Sequence, residues 1–251
     1  MDFGIEGKVA LVTAATKGIG LGIAQALARE GARVSIVART EADVKRVATE
    51  IKGFGVAADV TTEDGCIRSV EDTQKNLGPI DILVNNFGAR AGSSWSDTGP
   101  KEFESAFAGN VVVSARMSKL VLDGMIQRGW GRIVVITSVW GREAGGAPAY
   151  NAGKAAEISM VKSMARDVAS TGVTVNAIAP GSIMWEGGGW HRRRQADPEG
   201  IAEFVRQEMP LGRFGTPEEV ASVVAYVCSR QASLVTGASI AVDGGQGRSN
   251  I

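Results

Sequence analysis

Three side chains with complementary chemistry lie in one short stretch, SVWGREAGGAPAYNAGK, which spans residues 138–154. They are the serine at its start and two residues near its end, Tyr150 and Lys154. A helix places residues four apart on one face, so Tyr150 and Lys154 are expected to be neighbours. A free phenol has a pKa of about 10, and an adjacent ammonium stabilises its phenolate form. The pair is therefore suited to proton transfer at a carbonyl or alcohol oxygen.

The elements that must position this stretch are short β-branched runs that alternate with longer helical patterns. The runs cover residues 9–13, 34–38, 56–58, 80–85, 132–137, 173–178 and 239–242. Helical patterns cover residues 20–30, 41–51, 101–128, 152–170 and 198–209, and GGGWHRRRQ at 187–195 is expected to be a loop. This alternation predicts an α/β fold, a Rossmann-type doubly wound parallel sheet of about seven strands in three layers. We expect one domain over residues 1–251, with a substrate-loop insertion around residues 183–212.

The first run ends in TAATKGIG, residues 13–20, where a strand leads into a helix. Bare N–H groups at a helix N-terminus attract phosphate, and glycine allows its close approach, so this turn predicts a dinucleotide site. NAD sites usually carry an acid after the second strand, whereas this chain has Arg39 there and Lys17 in the turn. Both cations favour a 2′-phosphate, and hence NADP(H), unless they are solvated surface charges.

Composition argues against several other functions. Lys plus Arg and Asp plus Glu both number 27, so no nucleic-acid binding through bulk charge is expected. The two cysteines stand apart and His191 is the only histidine, which disfavours a metal site or a Ser-His-Asp triad. No apolar stretch approaches the length of a membrane helix, and the start lacks a signal-peptide pattern. We expect a cytoplasmic protein that binds no metal and no membrane.

Six motifs in a fixed order resemble those of the classical short-chain dehydrogenases/reductases. They are TAATKGIG, NNFG at 85–88, Asn110, Ser138, Tyr150-x-x-x-Lys154 and Pro180-Gly181. The resemblance spans nearly the whole chain, and within the family the chain is closely similar to the 3-oxoacyl-acyl-carrier-protein reductases. It implies an NADP(H)-dependent oxidoreductase that reduces a carbonyl reversibly. It also implies a homotetramer of D2 symmetry, with long helices and the C-terminal stretch at its contacts.

The resemblance assigns roles to individual residues. Tyr150 is the general acid, Lys154 supports it and binds the nicotinamide ribose, Ser138 polarises the carbonyl, and Asn110 holds a relay water. Asp59 is expected to bond the adenine. The cofactor-binding set is Thr13, Ala15, Thr16, Lys17, Gly18, Ile19, Gly20, Arg39, Thr40, Asp59, Val60, Asn86, Gly88, Tyr150, Lys154, Pro180, Gly181 and Ile183.

Four features depart from the family pattern. Ala14 replaces the usual first glycine of the turn, which costs about 1 kcal/mol if its backbone is left-handed. Phe87 replaces the alanine of NNAG, and Trp185 stands where many relatives have a threonine that contacts the nicotinamide amide. The serine-to-tyrosine spacing is one residue short; Thr137 would restore it, but the surrounding TSVWG favours Ser138.

The substrate is the least determined part of the prediction. Four aromatic side chains, together with the segment 90–95, are expected to line a pocket for a hydrophobic or ring-bearing ligand: Phe87, Trp140, Trp185 and Trp190. The basic cluster HRRR at 191–194 is either a receptor for a carboxylate or phosphate or a solvated, mobile lid.

Several functions stay open on this sequence. Arg128 fits one of two places where carrier-protein reductases dock their acidic carrier, but Thr171 replaces the arginine often found at the other. We therefore expect a small or medium free ketone, with a 3-oxoacyl-acyl-carrier-protein substrate as the alternative. A non-catalytic NADPH sensor or scaffold, or a dehydratase, is possible on the same fold. The intact catalytic residues argue against a sensor.

Overall fold

Strands and helices alternate along the chain as the sequence pattern predicts. The computed structural model describes residues 2–250, so the first and last residues of the expected domain lie outside the described residues. The strands are β1 (Val9–Thr13), β2 (Arg33–Ala38), β3 (Phe54–Ala57), β4 (Ile82–Asn85), β5 (Gly131–Ile136), β6 (Val173–Pro180) and β7 (Ser239–Val242). The helices are α1 (Gly18–Arg29), α2 (Glu41–Glu50), α3 (Glu63–Leu77), α4 (Pro100–Phe107), α5 (Val113–Gln127), α6 (Pro148–Val168), α7 (Gly189–Ala196), α8 (Pro198–Glu208) and α9 (Pro217–Cys228).

The strands form one parallel sheet in the order β3-β2-β1-β4-β5-β6-β7. The chain runs outward from β1 to β3 and then returns to place β4 on the other side of β1. This reversal makes a switch point between β1 and β4, where a doubly wound sheet opens a crevice at its carboxyl edge. The predicted Rossmann-type fold is confirmed, and its binding crevice lies above β1 and β4.

Helices cover both faces of the sheet and give three layers. One apolar cluster joins α1 and α9 to the sheet through Ile23, Leu27 and Val224. The other joins α3, α5 and α6 through residues such as Met117 and Val161. Alternate residues of β1 enter opposite clusters, as the two-residue period of a strand requires. Because both faces are covered, the strands are continuous apolar runs in the sequence.

Two predicted segments differ in the structure. The segment 187–195, expected to be a loop, is mostly the helix α7. Its arginines, glutamine and alanine are good helix formers, and Trp190 stacks on Phe204 of α8, which gives the short helix a packing partner. The predicted helix over 101–128 is instead α4, a π-helical turn at Ala108–Val112 and α5. The other predicted boundaries differ by up to four residues.

Within residues 2–250, no helix has both the length and the apolar character that a bilayer-crossing segment needs.

Candidate active site

The turn after β1 presents an uncapped helix N-terminus to the crevice. Helix α1 begins at Gly18, and its N-cap residue Lys17 makes no side-chain cap bond. The first turn of α1 contains no acidic residue that would compete with a bound anion. Free backbone N–H groups and the helix dipole favour a phosphate at this position. The turn therefore fits the pyrophosphate of a dinucleotide.

Side chains from β1 and the β4 loop hold this turn in shape. The hydroxyl of Thr13 accepts hydrogen bonds from the backbone N–H groups of Asn86, at 2.9 Å, and Phe87, at 3.0 Å. The Asn86 amide nitrogen donates to the carbonyls of Thr13, at 3.0 Å, and Ala14, at 3.2 Å. These bonds tie the phosphate turn to the end of β4 across the switch point. Thr13 and Asn86 thus fix the backbone of the predicted cofactor site.

Ala14 is the one strained residue of the turn. Its φ is +51°, in the left-handed region that glycine adopts without cost. Gly20, by contrast, is required for space, because a β-carbon there would lie 2.5 Å from the Asn86 amide nitrogen and 2.6 Å from the Ala14 carbonyl oxygen. The turn is therefore strained at Ala14, whereas at position 20 it has no space for a side chain.

The adenosine end of the predicted site carries Arg39, Thr40 and Asp59. Arg39 and Thr40 are exposed just after β2, whose neighbour β1 carries the phosphate turn. Asp59 accepts hydrogen bonds from the backbone N–H of Thr61 at 3.0 Å and from its hydroxyl at 2.8 Å. These bonds, together with the positive charge of Arg39, hold the pKa of Asp59 below its usual range. Asp59 is thus a fixed acceptor that fits the predicted contact with the adenine, and Arg39 is an exposed donor that fits a 2′-phosphate.

Tyr150 and Lys154 share one face of α6, as their spacing predicts. The Lys154 ammonium is 5.7 Å from the centroid of the Tyr150 ring. Lys154 is 2% exposed, and its ammonium donates to the Ile136 carbonyl at 2.9 Å. A β-carbon on Gly88 would lie 3.2 Å from the same ammonium, so the loop after β4 passes directly over it. The lysine is thereby fixed between α6, the end of β5 and the crevice.

Ser138 lies two residues after β5, and its hydroxyl proton has no hydrogen-bond acceptor within residues 2–250. Its oxygen accepts the backbone N–H of Trp140 at 3.2 Å. Thr137, the alternative from spacing, donates its own hydroxyl proton to the Ile178 carbonyl at 3.0 Å. Because the Thr137 proton is committed to the backbone, Ser138 is the better donor to a substrate oxygen.

Asn110 lies in the π-helical turn and is fully buried. Its amide nitrogen donates to the carbonyls of Ala106, at 2.7 Å, and Ala89, at 2.9 Å, and its amide oxygen accepts the Ala89 N–H at 3.2 Å. The side chain therefore joins the helix to the loop after β4. π turns of this kind are frequent at functional sites. The role of Asn110 in holding a relay water stays a prediction.

The loop after β6 carries three further predicted cofactor contacts. Pro180 ends β6, and the next residue, Gly181, has no room for a side chain beside Asp243 and Gln246. Gln246 accepts the backbone N–H of Ser182 at 2.7 Å. Ile183 is buried and bridges to Gly215. This loop is held by the C-terminal segment at the same carboxyl edge as the predicted catalytic residues.

Comparison with known proteins identifies the family. A sequence-family model described as enoyl-(acyl carrier protein) reductase matches residues 13–246. The 3-oxoacyl-[acyl-carrier-protein] reductase of Aquifex aeolicus is 36% identical over 252 residues, which is 98% of this chain and 99% of that protein. The acetoacetyl-CoA reductase of Shinella zoogloeoides is 33% identical over 95% of this chain and 98% of its own. The chain belongs to the short-chain dehydrogenase/reductase family.

Solved structures of this family superpose closely on the chain. The L-sorbose reductase of Gluconobacter frateurii, in complex with NADPH and L-sorbose, has a TM-score of 0.93 and 31% identity. That match covers 99% of this chain and 100% of the other. A variant of actinorhodin polyketide ketoreductase with NADPH has a TM-score of 0.90 and 33% identity, over 96% of this chain and 97% of its own. The family predicted from the motifs is confirmed.

The four aromatic residues predicted for the substrate pocket lie in different surroundings. Trp185 packs on the phosphate turn, where a β-carbon on Gly18 would lie 2.7 Å from its indole. Phe87 is half-buried against the α5 side of the core. Trp140 packs over the glycines at 145 and 146, and Asn151 of α6 donates to its carbonyl. Each of these three positions adjoins a predicted catalytic or cofactor residue, and their role in the pocket stays a prediction.

Trp190 belongs to a separate aromatic cluster. Its ring lies 4.7 Å from Phe204 and 5.1 Å from Phe214, centroid to centroid. Arg193 stacks on its other side, with the guanidinium carbon 5.0 Å from the ring centroid. Trp190 thus packs α7 against α8. The neighbouring His191 accepts the Gly187 N–H, so the basic cluster begins as an ordered helix.

Two charged side chains lie beside Tyr150 and Lys154. Glu157 is absent from the predicted site, and Arg90 is predicted only as part of the pocket segment 90–95. Glu157, fully buried on α6, places a carboxylate oxygen 2.8 Å from the Lys154 ammonium. Arg90, on the loop after β4, has its guanidinium carbon 4.8 Å from the centroid of the Tyr150 ring. The i,i+3 spacing of Lys154 and Glu157 is a signal that could have revealed the first. No spacing rule reveals the second, because Arg90 reaches the tyrosine across the fold.

Proposed function

We propose that the protein reduces a ketone to a secondary alcohol, and reverses the reaction, with NADPH as its cofactor. The observation that carries this proposal is the position of the Lys154 ammonium, 5.7 Å from the centroid of the Tyr150 ring and 2.9 Å from the carbonyl of Ile136, which ends β5. Ser138 follows two residues later, and the uncapped N-terminus of α1 lies at the same carboxyl edge. When bound, NADPH supplies the hydride to the carbonyl carbon. The chain's own residues supply orientation, polarisation and the proton.

Each side chain has a distinct part in the proposed reaction. Ser138 donates its uncommitted hydroxyl proton to the substrate oxygen and polarises the carbonyl. Tyr150 gives its phenolic proton to that oxygen as negative charge develops there. Lys154 stabilises the phenolate that remains, because its ammonium lies one helical turn away. Asn110 holds the loop after β4 against the site and is proposed to order the water that returns a proton.

Arg39 and Lys17 support the choice of NADPH over NADH. Both side chains are exposed, one after β2 and one at the start of α1, on adjacent strands at the carboxyl edge. The two positions directly after β2 are Arg39 and Thr40, so neither carries an acid that could bind a ribose 2′-hydroxyl. The two related structures described above were both solved with NADPH.

We propose a small or medium free ketone as the substrate class. Arg128, the cation that would dock an acidic carrier, donates to the Ile80 carbonyl at 2.6 Å and lies 3.7 Å from an Asp81 carboxylate oxygen. Thr171 bonds the Val168 carbonyl at 2.7 Å and adds no charge. A carrier protein would therefore meet little free positive charge there. The alternative, reduction of a 3-oxoacyl thioester, is supported by the names of the relatives in Aquifex and Shinella.

A substrate panel tests this proposal. NADPH consumption is measured with aryl ketones, diketones, 3-keto esters, keto acids, ketoses and a 3-oxoacyl thioester, each repeated with NADH. We expect a free ketone to give the highest kcat/KM, and NADPH to exceed NADH. A preference for the thioester would establish the carrier-type alternative. Tight NADPH binding without turnover of any compound would instead favour a sensor.

Assembly and location complete the proposal. Three apolar side chains along α4, the π turn and α5 are exposed, namely Phe107, Val112 and Leu120, and they support a homotetramer built on these helices. The segment around residues 183–212, which contains α7 and α8, is proposed as the substrate loop of a single catalytic domain. A cytoplasmic location is consistent with the free thiols of Cys66 and Cys228.

A further inference from the structure

We propose that Glu157 is a positioning residue that holds Lys154 in place and sets the pH at which Tyr150 releases its proton. This inference rests on the proposed reductase function and extends its machinery by one buried carboxylate. Glu157 does not touch the reacting atoms; it acts through Lys154.

The geometry is a closed buried network across two helices. One carboxylate oxygen of Glu157 is 2.8 Å from the Lys154 ammonium. The other accepts a hydrogen bond from the Ser114 hydroxyl of α5 at 2.9 Å. Glu157 and Ser114 are 0% and 1% exposed, so water does not compete for these bonds. The ion pair is thus fixed at both ends.

Counting donors shows what the network leaves for catalysis. A lysine ammonium has three N–H groups. Glu157 takes one and the Ile136 carbonyl, at 2.9 Å, takes a second. One N–H remains on an ammonium that lies beneath Gly88 and beside Asn110. Glu157 and Ile136 therefore orient the lysine so that a single donor is left for the site.

Stability alone is a poor reason for such a pair. Desolvation of two charges offsets much of their attraction, and apolar residues of similar volume are often as stable or more so. A buried carboxylate at this position is better explained by what it does to its neighbours. It neutralises part of the lysine charge and raises the cost of losing any nearby proton.

The sign of the pH effect follows from charge. Within residues 2–250, the ion pair and ring contacts of Tyr150 and Lys154 involve one carboxylate, Glu157 on α6, and one further cation, Arg90 on the loop after β4. The other groups placed against this network are neutral and belong to Ile136, Ser114 and Asn110. Removing the only carboxylate among these groups leaves two cations near the phenol. Without the charge of Glu157, the first proton lost by Tyr150 or Lys154 is expected to leave at lower pH than in the wild type.

Glu157→Gln tests the predicted direction of the pH shift in the enzyme. The substitution keeps the size and hydrogen-bonding capacity of the side chain and removes its charge. We expect the alkaline limb of kcat/KM for ketone reduction to move about one unit to lower pH. Glu157→Asp keeps the charge and is the matched control, with its limb near that of the wild type. A fall in kcat with an unmoved limb in Glu157→Gln would mean a purely structural role and would overturn the proposal.

A spectroscopic titration tests the same sign without turnover. The chain has two tyrosines, so Tyr226→Phe leaves Tyr150 as the only phenol. Its phenolate absorbance is titrated in the cofactor-free protein, with and without Glu157→Gln. We expect the carboxamide to move the midpoint to lower pH; an unchanged midpoint would contradict the proposal. Because no substrate is needed, this result stands even if the proposed reductase activity fails in the substrate panel.

Ser114→Ala keeps the proposal testable if Glu157→Gln does not fold. It removes the hydroxyl that donates to the Glu157 carboxylate, so the negative charge of Glu157 acts more strongly on its neighbours. The midpoint of phenolate formation is therefore expected to move a few tenths of a pH unit higher. A shift to lower pH in this variant would contradict the proposed role of Glu157.

Discussion

The ring of Tyr150 has two cations near it, with Lys154 of α6 5.7 Å from its centroid and Arg90 of the loop after β4 4.8 Å from it. Lys154 is buried and paired with Glu157, whereas Arg90 is exposed. Water and salt therefore screen the charge of Arg90 more than the charge of Lys154.

Arg90→Ala is therefore expected to shift the pH profile in the direction opposite to Glu157→Gln. Loss of a nearby positive charge makes the phenol hold its proton to higher pH, by a few tenths of a unit. The pH dependence of kcat/KM measures the shift, and Arg90→Lys serves as the charge-conserving control. The shift should shrink in high salt; a shift that salt does not reduce would argue against an electrostatic cause.

The left-handed Ala14 predicts a stabilising substitution. Its φ of +51° is strained for alanine and free of strain for glycine. Ala14→Gly is expected to raise the free energy of unfolding by about 1 kcal/mol. Ala15→Gly, one residue along and at a position without positive φ, is the matched control and should destabilise. Denaturant unfolding of both variants checks this, and equal destabilisation would contradict the strain argument.

Cofactor choice is expected to depend on two cations, Lys17 in the phosphate turn and Arg39 after β2. Arg39→Ala and Lys17→Ala should each weaken NADPH binding about 10- to 100-fold and leave NADH binding nearly unchanged, because each removes a charge-assisted bond to the 2′-phosphate. Arg33→Ala, at the opposite end of β2, is the control and should have no effect. Titration of both cofactors measures the ratio; an unchanged ratio would show that these cations are solvated.

Acid stability is expected to depend on Glu219 at the start of α9. Hydrogen bonding by Arg213 and by the Thr216 N–H lowers the pKa of Glu219 to about 2, from 4.5. A carboxyl with a lower pKa in the folded state stabilises the fold above its unfolded pKa and loses that contribution as pH falls towards 2. Glu219→Gln should remove about 0.5 kcal/mol at pH 7 and much less near pH 2, because the pair is exposed and screened. Urea unfolding at pH values from 7 to 2, with the neighbouring Glu218→Gln as control, measures this loss of stability. An equal loss at both ends of the range would show that the charge of Glu219 is not its cause.

The fold and the catalytic residues follow from local pattern, and that is why the sequence predicts them. Tyr150 and Lys154 are neighbours because of helical spacing. The continuous apolar runs of β1 and β5 indicate strands of a sheet that is covered on both faces. The phosphate turn is likewise local, from Thr13 to Gly20. These features require no knowledge of distant contacts.

What the sequence does not reveal depends on tertiary contacts. Trp190 packs on Phe204 of α8 and on Phe214 in the loop after α8, contacts that no local pattern reveals, and its place in the substrate pocket stays a prediction. The same packing makes α7 a helix where three glycines suggest a loop. Ser114 meets Glu157 only because the π turn and α5 pass beside α6. Pocket shape arises from such contacts, and substrate identity is therefore the weakest inference from sequence.

Tyr150→Phe tests the central claim most directly, because it removes one oxygen and leaves the ring. Tyr226→Phe on α9 makes the same chemical change at an exposed position and is the matched control. With the best ketone of the panel, we expect Tyr150→Phe to lose at least about 100-fold in kcat and to keep NADPH affinity, while Tyr226→Phe retains wild-type turnover. Turnover in Tyr150→Phe within a few fold of the wild type would contradict the assignment of Tyr150 as the proton donor.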